Sequence, residues 1–192
     1  MLSETELDTY FDSIQHEAFR LEALPAYAVP VESAGLSAYL AGEPFQKSET
    51  GQAFNDWVRA QVEAGVTWHR VRVVRGPLTE YERWECEWGY TVSEEFGHHT
   101  FVLDLSEVAD PPDLPDYDWW MFDGRVVLRF YYDDMGGFLG ADALEDADLL
   151  QAHRRYRDAA LAAAVPFPEY WAAHPQYWRE NWLETRHDRQ RL

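Results

Sequence analysis

The run Trp68-His69-Arg70-Val71-Arg72-Val73-Val74 limits the possible folds more than any other part of the chain. A strand's period of two puts Trp68, Arg70, Arg72 and Val74 on one face and His69, Val71, Val73 and Arg75 on the other. A tight Gly76-Pro77 turn follows, then an amphipathic helix beginning at Leu78. At about 100° per residue, Leu78, Tyr81, Trp84 and Trp88 fall in one apolar sector of that helix. Glu85 falls inside the same sector. Glu80, Glu82 and Glu87 fall outside it, where water can reach them, and Cys86 lies on the side away from it.

A carboxylate aimed at a core is costly unless a cation or several donors meet it. The strand offers Arg70 and Arg72, and a later hairpin offers Arg129. Three arrangements follow. In the first, a buried Glu85–Arg pair fixes the helix against the sheet. In the second, Glu85, an arginine and rings such as Tyr81 and Trp84 line a ligand cleft. In the third, the helix is rotated and Glu85 is exposed.

The remaining elements read more simply. Ser3-x-x-Glu6 fits a capping box, and Leu7, Tyr10, Phe11 and Ile14 recur at helical spacing. A helix is therefore expected to about Ala18, followed by a short extended piece ending at Pro25. Val31 to Leu40 reads as a second helix, and the polar 45–52 segment as the candidate mobile loop. Phe54, Trp57, Val58, Gln61 and Val62 mark a third helix, ended by Gly65. Thr100 to Leu105 reads as a strand, and the Asp- and Pro-rich 106–117 segment cannot pair continuously in a sheet. Trp119 to Phe122 and Val126 to Tyr132 form a hairpin, because Asp123-Gly124 suits a type I′ turn. Phe138 to Leu144 adds a strand, and a helix runs from Asp146 until Pro166 and Pro168 break it. Glu169 to Leu192 resembles an aromatic helix. Its Tyr177, Trp178 and Trp182 either pack on the domain, the favoured reading, or form a partner-binding helix.

The 192 residues suit one domain, and 46% hydrophobic content with 9 Trp, 11 Tyr and 10 Phe is ample for a core. A net charge of −19 repels phosphate backbones, so direct nucleic-acid binding is disfavoured. The same field favours a basic partner, such as the basic face of a DNA-binding protein, although solubility alone is the plainer reading. The single Cys86 allows no internal disulfide and no Cys-cluster zinc site. No basic-then-apolar leader and no apolar run of membrane length is seen, so a cytoplasmic location is expected.

Catalytic patterns are sparse. Adjacent His98 and His99 point to opposite sides of an extended chain and chelate poorly, even with Glu94, Glu95 and Asp104 nearby. No HExxH, Gly-x-Ser-x-Gly, P-loop or Rossmann signature occurs. With Glu82 and Glu87 close by, the Cys86 thiol gains no acidity. Asp118 and Asp123 bracket a strand and read as structural. No catalytic residue, metal or cofactor is expected, and a non-enzyme is favoured.

Several strings resemble an uncharacterised actinobacterial family, domain of unknown function 6879. They are Arg70-Val71-Arg72-Val73-Val74, Pro77-Leu78-Thr79 with Tyr81, Arg83-Trp84-Glu85 and Tyr90, and Asp118-Trp119 with Phe122-Asp123. Tyr132-Asp133 with Gly137-Phe138-Leu139-Gly140, Ala18-Phe19-Arg20-Leu21-Glu22 and Arg157-Asp158-Ala159-Ala160 also match, so the resemblance covers roughly residues 10–172. It implies a short cytoplasmic protein, often encoded beside helix-turn-helix regulators, with no established activity. After Tyr90 the chain departs from the family pattern, and Thr91 to Phe101 replace a stretch that ends in an arginine. The Phe122-Asp123 strand and the helix from Asp146 are also similar to phospholipase-D-like sensor domains. The H-x-K-x-D motif is absent, so that likeness implies a catalytically dead sensor scaffold.

The expected fold is a single α/β or α+β domain over residues 1–172, with a mixed sheet of about five strands and helices at both termini. Residues 173–192 are expected to form a helical extension. The expected function is a non-enzymatic regulatory or interaction protein that binds a basic partner, plausibly a helix-turn-helix regulator. The competing class is a small-molecule binder or enzyme with an aromatic, Arg/Glu-lined cleft. An open cavity beside Glu85 favours the second class, and a tightly packed Glu–Arg contact opposes it.

Overall fold

The computed structural model describes residues 1–45 and 47–182. The first half contains α1 (Glu4–Asp12), β1 (Glu17–Glu22), α2 (Ser33–Leu40), α3 (Glu49–Glu63) and β2 (Thr67–Val74). A composite helix follows: α4 (Glu80–Trp84), a π-helical turn (Glu85–Tyr90) and α5 (Thr91–Glu95). Strands β3 (His98–Asp104), β4 (Trp119–Phe122), β5 (Val126–Tyr132) and β6 (Phe138–Leu144) precede α6 (Ala147–Ala163), β7 (Val165–Pro166) and α7 (Phe167–Ala173).

Among the described residues these strands form one mixed sheet of seven, in the order β6-β5-β4-β1-β2-β3-β7, rather than about five. Strands β1, β2 and β3 are parallel neighbours, and the other pairings are antiparallel. The two strands beyond the expected five are β7 and β1, and β1 sits at the centre. The first helix ends at Asp12 instead of near Ala18. The cause is distant in sequence: the Asp123 carboxylate accepts the backbone N–H groups of Gln15, His16 and Glu17 at 3.1, 2.7 and 2.9 Å. That contact pins the chain in extended form where the local pattern still reads as helix. Burial alone would raise the Asp123 pKa, but those N–H donors and Arg125 hold it below the usual aspartate value. Half of the expected mobile loop is also helix, because Ser48 caps α3 through the Gly51 N–H.

The sheet's two faces differ in chemistry. Phe19, Leu21, Val71, Val73, Leu103, Trp119 and Met121 form an apolar core with Leu150 and Ala160 of α6. On the opposite face, Ala18, Trp68, Trp120, Phe122 and Leu128 pack with Val58 of α3. Beside that second cluster, on the same face, the central strands carry charge.

The hairpin sets which side chains join this face. Asp123 and Gly124 have φ of 53° and 66°, and the Arg125 N–H closes the turn on the Phe122 carbonyl. Pairing resumes between Phe122 and Val126, so three residues are left in the loop. A two-residue loop would have put Arg129 on the Trp120 face. One additional residue shifts the register by one and sends Arg129 to the Trp119 face.

The C-terminal aromatic helix is shorter than expected. Helix α7 ends at Ala173, Pro175–Tyr177 is a 3-10 turn, and the end of the expected extension, 183–192, lies outside the described residues. Trp182 is buried, 5.9 Å from the Tyr39 ring. Among the described residues no helix is long and apolar enough to cross a membrane.

Candidate functional site

Register alone builds a charged lattice across the two central strands. Arg20 of β1 lies beside Arg70 of β2, and Glu22 beside Arg72. Glu22 is 1% exposed and meets all three arginines: Arg20 Nη1 at 2.7 Å, Arg70 Nε at 3.6 Å and Arg72 Nη1 at 3.9 Å. Arg72, also 1% exposed, reaches Glu82 at 3.5 Å and Glu85 at 3.5 Å. Arg20 lies 3.7 Å from Asp118, which accepts the Tyr27 hydroxyl at 2.6 Å and the Ala23 N–H at 2.8 Å.

The composite helix roofs this lattice, and it differs from a regular α-helix. Thr79 and Glu82 form a capping box that starts α4. After Trp84 the turn widens, so the Thr91 N–H bonds to the Cys86 carbonyl five residues back. Such π-turns inside α-helices are frequent at functional sites. Three sequence readings are corrected by this geometry. Glu82 is buried, not solvated, because it serves both the cap and Arg72. Glu87 is half-buried and accepts the Tyr39 hydroxyl and the Arg179 N–H. Cys86 is buried with Val74, Leu78, Tyr90 and Phe167 rather than turned away, and burial raises its thiol pKa well above the usual value.

Glu85 points inward and is 12% exposed. Burial raises its pKa to about 7, against the opposing pull of Arg72 and with further help from the negative charge of Glu22. Glu22 behaves in the opposite way. Burial favours its neutral form, but Arg20, Arg70 and Arg72 together hold it down at about 2. The Tyr90 hydroxyl links the two, 2.8 Å from Glu22 and 3.0 Å from Glu85. A phenol has one hydrogen. It donates to the ionised Glu22, and a protonated Glu85 donates to the phenol oxygen. Burial likewise raises the pKa of Asp118 and of Glu32, whose carboxylate accepts the Tyr81 hydroxyl at 2.8 Å.

Above part of the lattice lies a cavity of about 700 Å³. Arg20, Glu22, Arg70, Glu85 and Tyr90 reach it from below, and Phe11, Phe54, Trp84, Trp88, Trp120 and Phe130 supply its walls. Gly35 backs the Trp84 ring closely: a Cβ there would stand 3.3 Å from it. Gly89 faces the cavity, and a Cβ there would meet only the Glu85 Cβ, at 3.9 Å.

Of the residues singled out from sequence, Glu85, Arg70, Arg72, Tyr81 and Trp84 come together. Arg129 does not. It stacks over Tyr117, 4.0 Å from the ring centroid, on the other face of the sheet. Arg20, Glu22, Glu82, Tyr90 and Asp118 were not anticipated. Two signals were available: Phe19-Arg20-Leu21-Glu22 alternates with period two, and Thr79-x-x-Glu82 repeats the capping pattern of Ser3-x-x-Glu6. His98 and His99 do diverge, His98 being 0% exposed and His99 exposed.

The fold and site define a mixed-sheet α/β protein with a buried Arg/Glu lattice beneath an aromatic cleft. The family model described as Domain of unknown function (DUF6879) matches residues 5–172, and the chain belongs to that family. No curated protein matches the chain.

Proposed function

We propose that this protein is a cytoplasmic, non-enzymatic regulatory domain that binds a small molecule in the aromatic cleft. The observation that carries this reading is the cavity of about 700 Å³ directly beside Glu85, within the size range of ligand pockets. Its mixture of ring walls and a few convergent polar groups is the usual composition of such sites. The lattice below holds those polar groups in place through ion pairs and the Tyr90 bridge, which favours a fixed binding site. The test uses a neutral aromatic dye, N-phenyl-1-naphthylamine, whose emission rises in apolar surroundings. The wild type should bind it, and Gly89→Phe, which places a ring in the cavity, should weaken binding at least about tenfold. Equal binding by the two proteins would contradict the cleft reading.

A second reading concerns output. The net charge of −19 supports a basic protein partner, a helix-turn-helix regulator in this reading, held largely by electrostatics. Affinity capture from the native host at low ionic strength should recover a basic protein that raised salt releases. Recovery of none under those conditions counts against this reading.

A further inference from the structure

We propose that the cleft takes a ligand with a flat aromatic body and an anionic group, the anion pairing with Arg70 on the cavity floor; this rests on the cleft reading above. Hydrogen-bonding capacity around the cavity is unmet at a cation, not at a carboxylate. Each carboxylate at the cavity already has a donor. Glu22 has Arg20 at 2.7 Å and Tyr90 at 2.8 Å, Glu32 has Tyr81 at 2.8 Å, and Glu85 has the Arg72 guanidinium at 3.5 Å. Arg20 is committed to Glu22 and Asp118.

Arg70 differs. It is 8% exposed and its closest carboxylate contact is the 3.6 Å approach of Nε to Glu22, against 2.7 Å for Arg20; its Nε has no hydrogen-bond acceptor, which is also true of Arg20 Nε. Among the described residues no protein acceptor is hydrogen-bonded to its terminal nitrogens, and the Tyr90 ring, 4.9 Å from the guanidinium carbon, holds the group in position. A buried guanidinium presents a planar fork of donors suited to a carboxylate, sulfonate or phosphate. Lys47, which also lines the cavity, adds a second cation. What the floor lacks is an acceptor, and the walls offer ring faces to the rest of the ligand.

A matched pair of dyes separates the charge from the body. 8-Anilinonaphthalene-1-sulfonate and N-phenyl-1-naphthylamine share one aromatic skeleton and differ by the sulfonate. Fluorescence titrations of the full chain should show Arg70→Gln weakening the sulfonate about tenfold or more, with the neutral dye changed by less than about threefold. Arg70→Lys, which keeps the charge and loses the fork, should fall between wild type and Arg70→Gln. Should Arg70→Gln fail to fold, the Arg70→Lys titration alone decides: selective weakening of the sulfonate supports the inference, and equal effects on the two dyes overturn it. A naphthylmethyl-trimethylammonium probe that binds more tightly than the sulfonate also overturns it, and both of these results leave the cleft intact. If Gly89→Phe weakens neither dye, the cleft reading itself fails.

Discussion

Arg72→Met is expected to destabilise the protein by about 3–5 kcal/mol, a large part of the whole stability of an ordinary domain. The side chain is 1% exposed and lies within 4 Å of Glu22, Glu82 and Glu85. Methionine fills much of the volume, so the loss is electrostatic: three buried carboxyl groups lose a shared cation. Glu22 and Glu82 would have to remain charged without it, take up protons, or draw water into the interior. Urea denaturation at neutral pH measures the cost. The loss should shrink when Glu85→Gln is added, because one carboxylate then no longer needs the guanidinium. A cost under about 1 kcal/mol would mean that the lattice does not hold the composite helix against the sheet.

The second large effect is on pH dependence. Glu85 has a native pKa of about 7 against an ordinary value of 4.5, so between these the native state holds a proton that the unfolded chain releases. Stability from this group is full below pH 4.5 and is lost as pH rises through 7. The difference of 2.5 units corresponds to an upper bound of roughly 3 kcal/mol. Glu22 has the opposite sign. Its native pKa of about 2 makes its stabilisation present above 4.5 and lost as pH falls toward 2. The raised pKa values of Asp118 and Glu32 act in the same direction as Glu85. The lowered pKa values of His98, His69 and His153 act the other way below pH 6.5, so the Glu85 contribution is read from the difference between wild type and Glu85→Gln. Glu85→Gln should remove most of the decline between pH 5 and 7.5, leaving the variant more stable than wild type at pH 8 and little changed at pH 5. Denaturation midpoints across that range check it, and an unaltered slope in the variant would assign the decline to other groups.

These expectations depend on positions that sequence revealed unevenly. The arginine-bearing strand β2 was legible because its alternation is local, and the same holds for the capped start of α1 and for α6. The inward aim of Glu85 was legible from the rings around it. Strand β1 was legible only as a short extended piece after Ala18, not as a central strand, because a carboxylate more than a hundred residues away, on Asp123, ends the helix before it. Its place in the sheet, which brings Arg20 and Glu22 beside Arg70 and Arg72, was therefore hidden. The π-turn was equally hidden, since a helical wheel assumes one pitch throughout, and this misplaced Cys86. The position of Arg129 turned on a single residue of loop length, which an Asp-Gly signal does not specify. Each miss lies where a tertiary contact or a register overrode a local pattern.

The lattice under the cleft is tested most directly by carbon-13 NMR titration of the glutamate side-chain carboxyls. One carboxyl should titrate near pH 7 and disappear in Glu85→Gln, and another should still be ionised well below pH 4. A spectrum in which every glutamate titrates near its ordinary value would contradict this, because neither burial nor the arginines would then be acting on these groups.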